Sequence, residues 1–128
     1  MIIAGIGSRK GVAATDVLAA IDAALAAHGL TRGQVDRLAT APLKSDEPAL
    51  RAASAAIERE LVVVDDAALS AASPRTLTHS ELSLTMTGAP SVSEAAALAA
   101  AGPASRLLGP RVVVGSVTCA IAVDGDLP

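Results

Sequence analysis

Met1-Ile2-Ile3-Ala4-Gly5-Ile6-Gly7-Ser8-Arg9-Lys10-Gly11 opens the chain with an apolar run, Met1 to Ile6, that passes into a loop rich in glycine and charge. A short apolar run bounded in this way reads as a buried strand. A helical pattern follows it. Val17, Ile21, Ala24, Leu25 and His28 recur at the spacing of one helix face, with Thr15 or Asp16 as the expected cap and Gly29 as the stop. Leu30 stands where a Schellman-type end puts its hydrophobic contact. Strand, loop and helix in this order start a β–α–β unit.

The alternation continues along the chain. Thr31 and Gln34 have capping-box spacing and predict a single turn before the second strand. That strand is Leu38-Ala39-Thr40-Ala41, closed by Pro42. The next helix is expected over 46–59, with Pro48 in its first turn and Leu50, Ala53 and Ile57 facing inward. Leu61-Val62-Val63-Val64 is continuously apolar, as in a strand covered on both faces. Asp65-Asp66 predict a short helical turn reaching Leu69, and residues 70–80 read as a loop. Ser91-Val92-Ser93-Glu94 has the form of a capping box opening an alanine-rich helix. Gly102-Pro103 ends that helix. Val112-Val113-Val114, a turn at Gly115-Ser116, and Val117 to Val123 predict a terminal hairpin in which Val117, Cys119, Ile121 and Val123 face one way.

The expected fold class is therefore α/β, a three-layer α/β/α sandwich on a mixed, mainly parallel sheet. With 128 residues and no long linker, positions 1–128 are expected to form a single domain. The apolar share of 52% excludes a disordered chain. Thirty residues are Ala and none is Phe, Tyr or Trp, so the core has to be built from small and aliphatic side chains in close contact. Without aromatic platforms, a basic excess or a Lys/Arg run, no nucleic-acid partner is expected. The longest uncharged stretches are too short to span a bilayer and no basic region precedes the first apolar run, so neither a membrane partner nor a signal peptide is expected and the expected location is cytoplasmic. One cysteine, Cys119, with His28 and His79 far apart in sequence, offers no metal-site spacing, and no metal or cofactor is expected.

In an open parallel sheet, ligands bind beyond the carboxyl ends of the strands. The loops there are 7–15, 42–47 and 65–66. They carry Gly7, Ser8, Arg9, Lys10 and Gly11, then Lys44, Ser45, Asp46 and Glu47, then Asp65 and Asp66. Lys10 and Lys44 are the only lysines in the chain. Gly5-x-Gly7-x-x-x-Gly11 departs from the dinucleotide fingerprint in spacing, and Thr40-Ala41-Pro42 stands where that fingerprint needs an acid. The plainer reading is a set of glycines making a tight turn, with Arg9, Lys10 and backbone N–H groups able to hold an anion. Ser8 lacks a nearby base for nucleophilic work. Lys44 and Glu47 are three apart, the spacing of a local ion pair. Asp65, Asp66 and Glu94 read as caps, Cys119 as a buried and inert thiol.

Four blocks resemble the CobE/CbiG C-terminal domain family of cobalamin biosynthesis. They are Gly5-Ile6-Gly7-Ser8-Arg9-Lys10-Gly11, Leu43-Lys44-Ser45-Asp46-Glu47-Pro48-Ala49-Leu50, Gly88-Ala89-Pro90-Ser91-Val92-Ser93-Glu94-Ala95-Ala96-Ala97-Leu98, and Gly115-Ser116-Val117-Thr118-Cys119-Ala120-Ile121-Ala122. They stand in the family's order and span nearly the whole chain. Ser8 stands where the family often has Cys, and Ser116 where it has a second Gly. The resemblance implies an α/β fold and a role in corrin-ring synthesis. The implied partner is an anionic tetrapyrrole, a precorrin carrying many carboxylates, held by Gly7, Ser8, Arg9, Lys10, Gly11, Lys44 and Glu47. Three roles stay open: an accessory binding protein, as for stand-alone members of this length; a lactone hydrolase that releases acetaldehyde, with Lys44 and Glu47 as acid–base groups; and a subunit that docks on another corrin-pathway enzyme. Oligomeric state is not expressed in the sequence.

Overall fold

The computed structural model describes residues 1–9, 11–42, 47–78 and 91–125. The first strand, β1 (Ile2–Ser8), is buried at every position and runs two residues past the expected end, to Ser8. Helix α1 (Ala14–Ala26) follows. Its cap is Ala13 in extended conformation, with no side-chain hydrogen bond. Thr15 and Asp16, expected as caps, fall inside the first turn; Ala13 already turns the chain, and its carbonyl accepts from the Asp16 and Val17 N–H groups. Val17, Ala20, Ile21, Ala24 and Leu25 are buried, whereas His28 lies just past the helix and is half-buried. The end is a Schellman motif: Gly29 has φ +69°, the Leu30 N–H donates to the Leu25 carbonyl at 2.9 Å, and the Gly29 N–H donates to Ala26 at 3.2 Å.

A 3-10 turn at Arg32–Gln34 leads into β2 (Arg37–Thr40). In that turn Gln34 Oε1 accepts from the Thr31 N–H at 2.9 Å. Helix α2 (Pro48–Ile57) starts on Pro48, whose missing N–H is no loss there, and buries Ala49, Leu50, Ala53 and Ile57. Then come β3 (Leu61–Val63) and α3 (Asp66–Ala72), capped by Asp65. A 3-10 turn at Ser73–Arg75 occupies part of the expected loop. The alanine-rich helix α4 (Val92–Ala101) ends at Gly102, φ +107°. Three strands close the chain: β4 (Arg106–Leu107), which no sequence pattern announced, β5 (Val112–Val114) and β6 (Val117–Val123).

The sheet order is β3-β2-β1-β6-β4, with β5 also paired to β6. The pairings β1–β2 and β2–β3 are parallel; those of β6 with β1, β4 and β5 are antiparallel. The sheet is thus mixed, with a larger antiparallel share than the βα alternation implies, because β6 returns along β1 over seven register pairs. The expectation that β3 is covered on both faces fails. It is an edge strand, and Val63 is 45% exposed.

Helices lie on both faces, which makes the arrangement three-layered. Even-numbered residues of β1 and odd-numbered residues of β6 pack with α1 and α2, as in the cluster of Ile2, Ala4, Ile6, Val17, Ile21, Leu50 and Cys119. Ile3, Ala39 and Ala122 pack on the other face with Leu69 of α3 and Ala97 and Leu98 of α4. With so many alanines, α4 approaches β1 until almost no room is left. A Cβ on Gly5 would lie 2.0 Å from the Ser93 carbonyl oxygen and 2.7 Å from the Ala97 nitrogen.

Candidate functional site

Because β1 and β2 run parallel, the loops leaving their carboxyl ends share one rim of the sheet. The first two are in direct contact. The Gly11 N–H donates to Oε2 of Glu47 at 3.2 Å, a link across 36 positions of sequence. Arg9 is exposed, and its N–H donates at 3.3 Å to the carbonyl of Ser116 in the turn between β5 and β6. The rim therefore gathers Arg9, Gly11, Glu47 and Ser116. Lys10 and residues 43–46, Lys44 among them, lie outside the described residues.

The floor of the rim is fastened by two threonines. Thr40 Oγ1, at the end of β2, donates to the Ile6 carbonyl at 2.9 Å and is fully buried. Thr118 Oγ1 of β6 donates to the Gly7 carbonyl at 3.4 Å. Gly7 is needed for that arrangement, since a Cβ there would come within 2.7 Å of the Thr118 oxygen. The glycines thus differ from the tight turn expected of them. Gly5 and Gly7 lie within β1 and admit neighbouring groups, while Gly11 alone of the three has a positive φ, +82°.

Ser8 ends β1 on the α1 face. It is 8% exposed, and its Oγ has no hydrogen-bond partner. On the opposite face the first turn of α4 sits against the same strand end: a Cβ on Gly7 would be 3.7 Å from the Ser93 nitrogen. Ser91 and Ser93 are both fully buried, and neither Oγ has a partner.

Glu94 does not close the expected capping box. Its carboxylate, fully buried, is drawn sideways by four donors: the Leu77 N–H at 2.7 Å, the Thr78 N–H at 2.8 Å, the Thr78 hydroxyl at 2.6 Å and the Arg111 N–H at 2.8 Å. Asp65 does act as a cap, accepting from the Ala68 N–H at 2.8 Å, and Asp66 is the first residue of α3. The third rim loop is thereby committed to starting a helix.

For chemistry, the described rim offers a guanidinium, backbone N–H groups, hydroxyls and the carboxylates of Glu47, Asp65 and Asp66, of which Asp65 is taken up as a helix cap. This set suits holding an anion better than activating a nucleophile. His28 is at the far end of α1, about 20 Å from the rim at the usual helical rise, beside Gly109. Cys119 is buried in the sheet, and burial pushes its thiol up to about 12, so it stays protonated at neutral pH. Among the described residues no three His, Cys, Asp or Glu side chains gather as a metal site. The sequence missed the hydroxyls of Ser91 and Ser93: Ser91 has the spacing of a cap from Glu94, and Ser93 reads as an inner residue of the same box.

Fold and rim together define an α/β domain whose parallel strand ends gather Arg9, Gly11, Glu47 and Ser116. Comparisons place it more narrowly. The family model of the cobalamin synthesis G C-terminus matches residues 2–122, and the chain belongs to that family. It is 31% identical to protein CobE of Sinorhizobium over 126 residues, 98% of this chain and 82% of the relative. It is also similar to a crystal structure of CobE, a protein from the cobalamin (vitamin B12) biosynthetic pathway, with TM-score 0.90 and 37% identity over 95% of this chain and 89% of that one. Cobalamin biosynthesis protein chiG from Agrobacterium tumefaciens matches with TM-score 0.78 and 51% identity, over 98% of this chain and all of that one. A cobalamin biosynthesis protein G homolog from Sulfolobus solfataricus shares the fold at 21% identity and TM-score 0.70, with 37% of its length covered. The role in cobalamin biosynthesis expected from the four sequence blocks is thus supported. No helix of the described residues is long and apolar enough to cross a membrane.

Proposed function

We propose that the chain is an accessory protein that binds a polycarboxylate precorrin intermediate at the carboxyl rim of β1 and β2. The proposed contacts are Gly7, Ser8, Arg9, Lys10, Gly11, Lys44 and Glu47, acting in the cytoplasm on an anionic tetrapyrrole. The observation that carries the reading is the Gly11–Glu47 hydrogen bond. It joins the loop of Arg9 to the segment that opens α2, and in it a loop amide N–H donates to a carboxylate oxygen. Family membership supports the choice of ligand class, since the relatives are cobalamin-biosynthesis proteins. A chain of net charge −3 needs a local positive group to hold a polyanion, and Arg9 stands exposed there.

Binding is preferred to lactone hydrolysis because, among the described residues, no histidine stands at the rim to assist Glu47, the candidate base; His28 lies at the far end of α1, beside Gly109. Nucleophile activation works best when the base is itself oriented by a third group. The test is a titration followed by visible absorbance; amino-acid side chains absorb only in the ultraviolet, so every visible band belongs to the ligand. Arg9→Ala and Lys44→Ala should each weaken binding by about 1.5–3 kcal/mol, the scale of a hydrogen bond to a charged group. Unchanged affinity in both variants rejects this site. Catalytic release of acetaldehyde from a lactone-bearing precorrin, lost in Glu47→Gln, would establish the hydrolase instead.

A further inference from the structure

We infer that the first turn of α4 is a carboxylate-binding subsite, in which one arm of the ligand is held by the Ser93 and Glu94 N–H groups and the Ser91 and Ser93 hydroxyls. The inference rests on the polycarboxylate reading above and adds to it a second face of β1.

Two devices normally satisfy the first N–H groups of a helix: a side-chain cap, and a Glu or Gln reaching back from the third position. Neither operates here. Ser91 has the extended backbone of a cap, φ −147° and ψ 113°, yet its side chain makes no capping bond. Glu94, three residues on, turns its carboxylate to Leu77, Thr78 and Arg111. Among the described residues, none accepts from the Ser93 or Glu94 N–H groups.

The hydroxyls supply an independent observation. Ser91 and Ser93 are 0% exposed and both Oγ atoms lack partners. Buried polar atoms are nearly always paired, and an orphan points to an occupant, either a water or a ligand group. Two O–H donors and two N–H donors at the start of a ten-residue helix match the acceptor pattern of a carboxylate. The helix dipole favours its charge. The negative charge of Glu94 is already met by four donors. The turn also lies where the proposed ligand would be, against Gly7 at the end of β1, two residues before exposed Arg9.

The test uses the full chain, labelled with nitrogen-15 and titrated with sodium propionate at constant ionic strength. The Ser93 and Glu94 amide signals should shift saturably. In the double variant Ser91→Ala, Ser93→Ala the dissociation constant should rise at least about tenfold, while the melting temperature stays level or rises, because only unpartnered hydroxyls are removed. Absence of shifts at 93 and 94, or equal affinity in the variant, overturns the subsite. A fall in melting temperature also overturns it, since the hydroxyls would then be paired with internal water. If propionate binds in this way but a precorrin does not, the corrin reading fails and the carboxylate subsite stands.

Discussion

Glu94 is a buried carboxylate that four donors among the described residues hold by hydrogen bonds. Two backbone N–H groups and a hydroxyl come from residues 77 and 78, and a third N–H comes from Arg111 at the approach to β5. One side chain therefore joins α4, the segment after the Ser73–Arg75 turn, and the hairpin. Glu94→Ala would leave four donors unpaired, three of them backbone groups that cannot turn to water. The expected loss is about 3–5 kcal/mol, in the range for breaking a buried polar network. Glu94→Gln keeps one acceptor oxygen but turns an NH2 group toward donors, and should lose about 2–3 kcal/mol. Urea unfolding midpoints check both; values within 0.5 kcal/mol of wild type would contradict the latch. In sequence, Ser-x-x-Glu before an apolar run states a cap. Which way the Glu turns depends on Leu77, Thr78 and Arg111, each about 17 positions away, and no local pattern carries that.

The α4–β1 contact is where composition becomes architecture. Ala95, Ala96, Ala97 and Ala101 are all buried, and Gly5 faces them with hydrogen where other residues have a methyl. Gly5→Ala would drive a Cβ into backbone atoms of α4, which cannot swing aside as a side chain can. A loss of at least about 3 kcal/mol is expected, above the usual range for overpacking. A thermal melt within a few degrees of wild type would show that the helix can slide. Most elements were legible before this contact was seen. The 3.6-residue period of Val17, Ile21 and Leu25, the stop at Gly29 and the two-residue alternation in β6 are local signals, and each gave its element. What stayed hidden depends on strand order. Val63 looks like a core residue in a run of valines but stands on an edge, and Arg106–Leu107 is too short to show an alternation at all. The need for glycine at 5 and 7 was hidden because the groups that take up the space, the α4 backbone at Gly5 and the Thr118 hydroxyl at Gly7, are about 90 and 111 positions distant.

Over the whole molecule, parallel pairing of β1, β2 and β3 sends their following loops to one rim, while β6 brings the Gly115-Ser116 turn to the same end. The rim was foreseeable from the order of elements, because loops after parallel strands must share an edge. The hydroxyls beside it were not, since burial without a partner is a property of the packed chain. On the proposed function, this rim and no other surface takes the polycarboxylate ligand. Hydrogen–deuterium exchange of the intact chain, with and without a saturating precorrin, locates the contact directly. Protection should appear in peptides covering 5–13 and 91–96, with no change across 27–36 at the opposite end of α1. Protection confined to 27–36, or absent from both rim segments while the ligand is bound, would contradict it.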